Sequence, residues 1–350
     1  MVLSVSPWNG SKGHRRTPRI TENATQGRGQ VAYFWTPILA YFSTPLDSLY
    51  DKCRYWRSAF CMTDSTTKNT TIVASIGTTS VVPSYPLTNT LMGAFMKLAV
   101  VNQKGGVGKT TVSVNLAYSL AQVGKRVLLV DMDMQAHSSV IFCPELPKTP
   151  SGTIAEALQD RSCDIRTLVR PAITKGERVP NLSIIASNIH LGVVAEQIAQ
   201  RTYRENILHN HLKKIEGDFE YVIIDCPPAV GVVAVNALYT ANTVLVPTNY
   251  SRYALDGIAD LFQTIHEVKE GKEDCYLILR NAYDQRNAST NAYIEEQLRP
   301  FSGRVLKTII RKTEAINQAQ IDGVPVAVFD PKSNGSIDFY SLTNEIVTHG

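Results

Sequence analysis

"VNQKGGVGKTTVSVNLA", residues 101–117, joins an apolar run to a helical pattern through a glycine turn. An apolar strand, a glycine loop and a helix in that order make an anion site. Backbone N–H groups of Gly105, Gly106, Val107, Gly108 and Lys109 can converge on phosphate oxygens, and the helix dipole adds to them. Lys109 would reach the β- and γ-phosphates and the Thr110 hydroxyl would ligate Mg²⁺, with Thr111 beside them in the cofactor-binding set. The strict G-x-x-x-x-G-K-[ST] spacing would need glycine at Gln103. What stands instead is K-G-G-V-G-K-T, with a second lysine, Lys104, at the front of the loop.

Outward from this stretch the same texture repeats. "KLAVVNQ" (97–103), "RVLLVDMD" (126–133), "YVIIDCPP" (221–228), "TVLVPTN" (243–249), "CYLILRNAYD" (275–284) and "RVLKTII" (304–310) are short apolar runs. Helical spacing lies between them, over 110–124, 191–215, 253–268 and 313–320. Continuous apolar strands alternating with helices predict an α/β fold: a doubly wound, mostly parallel sheet with helices on both faces. Ligands then bind at the carboxyl ends of the strands, where the acids and glycines of these runs sit.

The chain has 350 residues, 44% of them hydrophobic, and a formal net charge of +4. That charge alone implies neither a nucleic-acid nor a membrane partner. Residues 1–95 differ from the rest. They hold nine Lys/Arg against four Asp/Glu, and 24 of the 95 are Ser or Thr. No helical periodicity is evident there, so residues 1–95 read as a low-complexity extension, disordered or not native to the protein. Residues 96–350 read as the folded domain, with Met96 (or Met92) as a plausible start. The six cysteines form no CxxC pair, which supports neither a zinc site nor a disulfide framework. No apolar run reaches transmembrane length.

K-G-G-V-G-K-T resembles the deviant Walker A box of the ParA/MinD family of ATPases, and further motifs follow in that family's order. "VLLVDMDMQAH" (127–137) is similar to its A′ box, with Met134 where proline is usual. "YVIIDCPP" is similar to its Walker B. The runs 236–258 and 327–347 resemble the ParA pattern, so the likeness covers residues 96–350. The resemblance implies that Lys104 reaches the partner's phosphates in an ATP-sandwich homodimer and that Asp133 activates the attacking water. Asp131 would lie near the metal's water shell, and Asp225 would hold Mg²⁺ through water. Asn281 would meet adenine, in a region where Arg311 replaces the family's proline.

Within the family, "SLTNEIVTHG" (341–350) is no basic amphipathic helix, which argues against the membrane-bound branch. Cys226 and Cys275 lack the spacing of an iron–sulfur branch. The resemblance therefore implies a ParA-type partition ATPase, cytoplasmic and nucleoid-associated. Its cofactors are ATP and Mg²⁺, and its partners a ParB-like centromere-binding protein and non-specific double-stranded DNA. Residues 297–313 contain no acid, and Arg304, Lys307, Arg311 and Lys312 fall there. With Arg286 they form the candidate DNA-binding set. Two alternatives remain open: a positional ATPase for another cargo, and a non-hydrolysing DNA-binding regulator.

Overall fold

A computed structural model of the chain describes residues 95–145, 151–250, 258–270 and 275–349. The expected extension before residue 95, and residues 253–257 of the expected 253–268 helix, lie outside the described residues.

The chain begins with β1 (Met96–Val100), α1 (Lys109–Gln122), β2 (Val127–Asp131), α2 (His137–Phe142) and α3 (Ile154–Gln159). β3 (Arg170–Thr174), β4 (Glu177–Ile185), α4 (His190–Ile198), α5 (Ile207–Leu212) and β5 (Tyr221–Asp225) follow. Next come α6 (Val232–Thr240), β6 (Thr243–Asn249), α7 (Ile258–Val268), β7 (Tyr276–Tyr283) and α8 (Ala288–Leu298). β8 (Val305–Arg311), α9 (Glu314–Ile321), α10 (Val326–Phe329) and α11 (Asn334–His349) complete the described chain. The strands make one eight-stranded sheet in the order β3-β4-β2-β5-β1-β6-β7-β8. All neighbours are parallel except β3, which runs antiparallel to β4 at one edge.

Period-two alternation explains why the central strands are apolar throughout. In β2, Val127 and Leu129 pack with Val112, Leu116 and Leu120 of α1 and Phe339 of α11 on one face. Leu128 and Val130 pack on the other, with Leu191 of α4, Leu238 of α6 and Leu261 of α7. A strand buried on both faces cannot carry polar residues until it emerges at its end. The first acids are therefore Asp131 and Asp225, the last residues of β2 and β5, aligned side by side by the parallel register.

The expected helix over 191–215 is broken into α4, α5 and two short 3₁₀ turns. The chain bends where Tyr203 takes a left-handed φ of 56°, a conformation that ends regular helix.

Candidate functional site

The glycine loop leaves β1 and is anchored to β6: the Val101 N–H donates to the Leu245 carbonyl at 3.0 Å. Buried Asn102 braces it further. Its Nδ2 donates to the Pro247 carbonyl at 2.8 Å, and its Oδ1 accepts the Lys104 N–H at 3.0 Å. Gly106 (φ 73°) and Gly108 (φ 87°) take left-handed backbone that side chains disfavour. A Cβ on Gly108 would also stand 2.3 Å from Asn281 Nδ2. These turns lead directly into the start of α1, whose N-cap is Gly108.

Lys109 is buried, and its Nζ donates back to the Lys104 carbonyl at 3.0 Å. Burial lowers its pKa, and the negative charges of Asp225 and Asp133 oppose that shift. Lys104 is half-buried, and its Nζ is shielded from solvent with no hydrogen-bond partner among the described residues. An ammonium in that state is a donor awaiting an acceptor.

Asp131 and Asp225 are fully buried. The Asp131 Oδ2 accepts from the Ser139 N–H (2.9 Å) and hydroxyl (2.7 Å), and its Oδ1 from the Asp133 N–H (3.0 Å). The Asp225 Oδ2 accepts from the Ser138 hydroxyl at 2.6 Å, and its Oδ1 lies 3.0 Å from the Ser113 hydroxyl. Thr110 also hydrogen-bonds Asp225. Burial, and then the neighbouring Asp225 charge, push Asp131 up to about 7, while burial raises Asp225 as well. Two carboxylates buried together resist joint ionisation unless a cation joins them. Among the described residues no cluster of three or more His, Cys, Asp or Glu side chains forms a metal cage. One or two carboxylates with a hydroxyl suit Mg²⁺, which keeps waters and takes phosphate oxygens.

Asp133 sits in the turn after β2. Its Oδ1 accepts the Gln135 N–H (3.0 Å) and its carbonyl the Ala136 N–H (2.9 Å), with Ala136 left-handed at φ 54°. Met134, at the position where proline was expected, is 43% exposed and lies against Gly192 of α4.

Beside the loop is a cavity of about 400 Å³, lined by Gly106, Gly108, Thr111, Tyr250, Asn281 and Arg311 among others. Asn281 faces it from β7, but its Nδ2 already donates to the Val107 carbonyl at 2.7 Å. Its first role in this structure is to brace the loop.

The basic residues are dispersed in their roles. Arg311, a candidate for DNA, ion-pairs with Asp338 of α11 at 2.7 Å, with its backbone N–H on the same carboxylate. That partner neutralises its charge within the domain. Arg286 is 83% exposed but pairs with Asp284 at 2.6 Å, pulling that carboxyl down to about 2. Arg304 lies over the Tyr276 ring at 4.4 Å. Lys307 and Lys312 are exposed.

Sequence reasoning missed Ser113, Ser138 and Ser139. A serine inside a helical pattern signals nothing until the fold brings a carboxylate to it.

A doubly wound sheet with a lysine-bearing glycine loop and acids at adjacent strand ends defines a phosphate-loop nucleotide-binding domain. A family model described as an AAA domain matches residues 96–276. The sporulation initiation inhibitor protein Soj of Bacillus subtilis is 34% identical over 260 residues, covering 72% of this chain and 98% of Soj. The chromosome partitioning protein ParA of Myxococcus xanthus is 33% identical, covering 71% and 87%. The structure of cobyrinic acid a,c-diamide synthase from Mycobacterium smegmatis, with bound ATP analogue and magnesium, superposes with a TM-score of 0.60. It is 28% identical and covers 72% of this chain and 94% of that one. The chain belongs to the ParA/MinD family of ATPases. Among the described residues no helix is long and apolar enough to cross a membrane.

Proposed function

We propose that this chain is a partition-type ATPase that binds and hydrolyses Mg-ATP, dimerises around it, and then binds DNA. The observation that carries the reading is the buried Asp131–Asp225 pair beside Lys109 and Thr110. Relatives named as chromosome partitioning proteins support it, and the M. smegmatis enzyme was solved with an ATP analogue and magnesium.

The loop N–H groups and Lys109 would bind the β- and γ-phosphates. Thr110 and Asp225 would hold Mg²⁺, with Asp131 behind its water shell. The metal supplies charge neutralisation on the phosphate oxygens. Asp133, on its hydrogen-bonded turn, would orient the attacking water and accept its proton. Lys104, whose Nζ lacks a partner, would reach the phosphates of the second protomer and stabilise charge in trans. Arg286, Arg304, Lys307 and Lys312 would supply phosphate contacts to DNA, with Arg311 the weakest candidate. A ParB-like partner would stimulate turnover, and the protein would be cytoplasmic and associated with the nucleoid.

The test is size-exclusion chromatography with ATP, followed by DNA binding at two salt concentrations. Lys104→Ala should keep nucleotide binding, lose the ATP-dependent dimer and lose DNA binding with it. Lys109→Ala should lose nucleotide binding. Wild-type DNA binding should fall steeply with salt and show little sequence preference. A Lys104→Ala protein that still dimerises with ATP would remove the trans role. DNA binding independent of ATP would break the link between dimer and DNA.

A further inference from the structure

Ser138 and Ser139 are consecutive residues of α2, a six-residue helix, and both are fully buried. Neighbours on a helix point about 100° apart, so their hydroxyls diverge onto the ends of two different strands. Ser139 serves Asp131 of β2. Its hydroxyl oxygen also accepts the Ser187 N–H at 2.8 Å, so its proton is committed to the carboxylate. Ser138 serves Asp225 of β5 at 2.6 Å, the short distance of a charge-assisted bond.

The two oxygens of Asp225 are divided by these partners. Oδ1 faces Ser113, the fourth residue after Lys109 on α1, whose hydroxyl lies equally close, 3.0 Å, to the Lys109 carbonyl. Ser113 has one proton for two acceptors. Among the described residues the Ser138 hydroxyl has a single acceptor, the Oδ2. Of these two serines, Ser138 is therefore the one whose bond restrains the rotation of the carboxylate about its Cβ–Cγ bond, alongside the Thr110 hydrogen bond to the same carboxylate.

We propose that Ser138 is a positioning residue for the metal-holding carboxylate Asp225. By occupying Oδ2, its hydroxyl leaves Oδ1 on the side of α1, the helix that carries Ser113 and Thr110 and beside which Mg²⁺ would be held. This rests on the reading that Thr110 and Asp225 hold Mg²⁺ with the nucleotide. Partners that orient a ligating carboxylate typically change metal affinity by about 10–100-fold when removed.

The test uses the full chain and a fluorescent ATP analogue, titrated with Mg²⁺. Ser138→Ala should raise the Mg²⁺ midpoint of nucleotide binding by about tenfold or more, with affinity in EDTA unchanged. Ser138→Cys keeps the volume with a weaker donor and should shift the midpoint the same way by a smaller factor. Ser336→Ala removes an equally buried hydroxyl that serves the Asp330 carbonyl instead, and should leave the midpoint in place. An unshifted midpoint in either folded Ser138 variant, or an equal loss of affinity in EDTA, overturns the assignment. Wild-type binding that ignores Mg²⁺ altogether would instead overturn the underlying metal reading.

Discussion

Replacing each loop glycine in turn by alanine should grade the loop's stability in a fixed order. At Gly105 an added Cβ meets nothing within 4 Å and the backbone is not left-handed, so Gly105→Ala should stay within about 0.5 kcal/mol of wild type. Gly106 has the same open space but a φ of 73°, so Gly106→Ala carries left-handed strain of about 1–2 kcal/mol. Gly108 has that strain, at φ 87°, and a Cβ 2.3 Å from Asn281 Nδ2. Asn281 must swing away and release the Val107 carbonyl, both in buried surroundings. That adds about 1–3 kcal/mol for the broken bond and its stranded partner. At about 2–4 °C per kcal/mol for a domain of this size, Gly108→Ala should melt roughly 4–20 °C lower. The assay is thermal unfolding of nucleotide-free protein followed by circular dichroism. In an Asn281→Ala background the extra penalty at Gly108 should shrink to the strain alone, because the two changes share one contact. Equal melting of the Gly105 and Gly108 variants, or strict additivity with Asn281→Ala, would refute the geometry.

The buried carboxylates give a pH dependence with a definite sign. Asp131, raised to about 7 in the folded state from an ordinary value of 3.8, binds more protons folded than unfolded between those values. Its contribution to stability therefore falls as pH rises from about 4 to 7. Without metal or nucleotide, the urea midpoint of wild type minus that of Asp131→Asn should decline over this window; a constant difference would contradict it. The Arg311–Asp338 pair gives a third expectation. Asp338→Ala should cost about 1–3 kcal/mol in urea unfolding, because it strands the Arg311 N–H and guanidinium. Arg311→Ala should weaken DNA binding less than Lys312→Ala, since the Arg311 charge is already spent within the domain; the reverse ranking, measured by fluorescence anisotropy, would count against that.

The central strands were legible because burial on both faces leaves an uninterrupted apolar run, as in "VLLVD" and "YVIID". The β3–β4 hairpin was not. At the sheet edge β3 reads "RPAIT", with Arg170, Pro171 and Ile173 exposed, so no apolar stripe marks it. The glycine loop and the acids at the strand ends were legible because a loop suited to anions needs fixed residue types at fixed spacing. The serines on Asp131 and Asp225 were not, since any helix accommodates serine and the carboxylates lie up to 112 residues away. Arg311 misleads for the same reason. Its basic neighbours are local, but the carboxylate that neutralises it comes 27 residues later, on another element.

The hydrogen bond from Lys109 to the Lys104 carbonyl has a consequence for speed and affinity. The ammonium has already shed most of its water and rests on a neutral oxygen of its own loop. On the proposed reading, an arriving phosphate would exchange one oxygen for another and would not have to dehydrate the lysine. That dehydration is part of the cost of folding, so it is absent from the cost of binding, which is what preorganisation means in free-energy terms. The loop would then behave as a socket with a removable plug: the plug is a peptide carbonyl, and it belongs to Lys104, whose ammonium has no hydrogen-bond partner among the described residues.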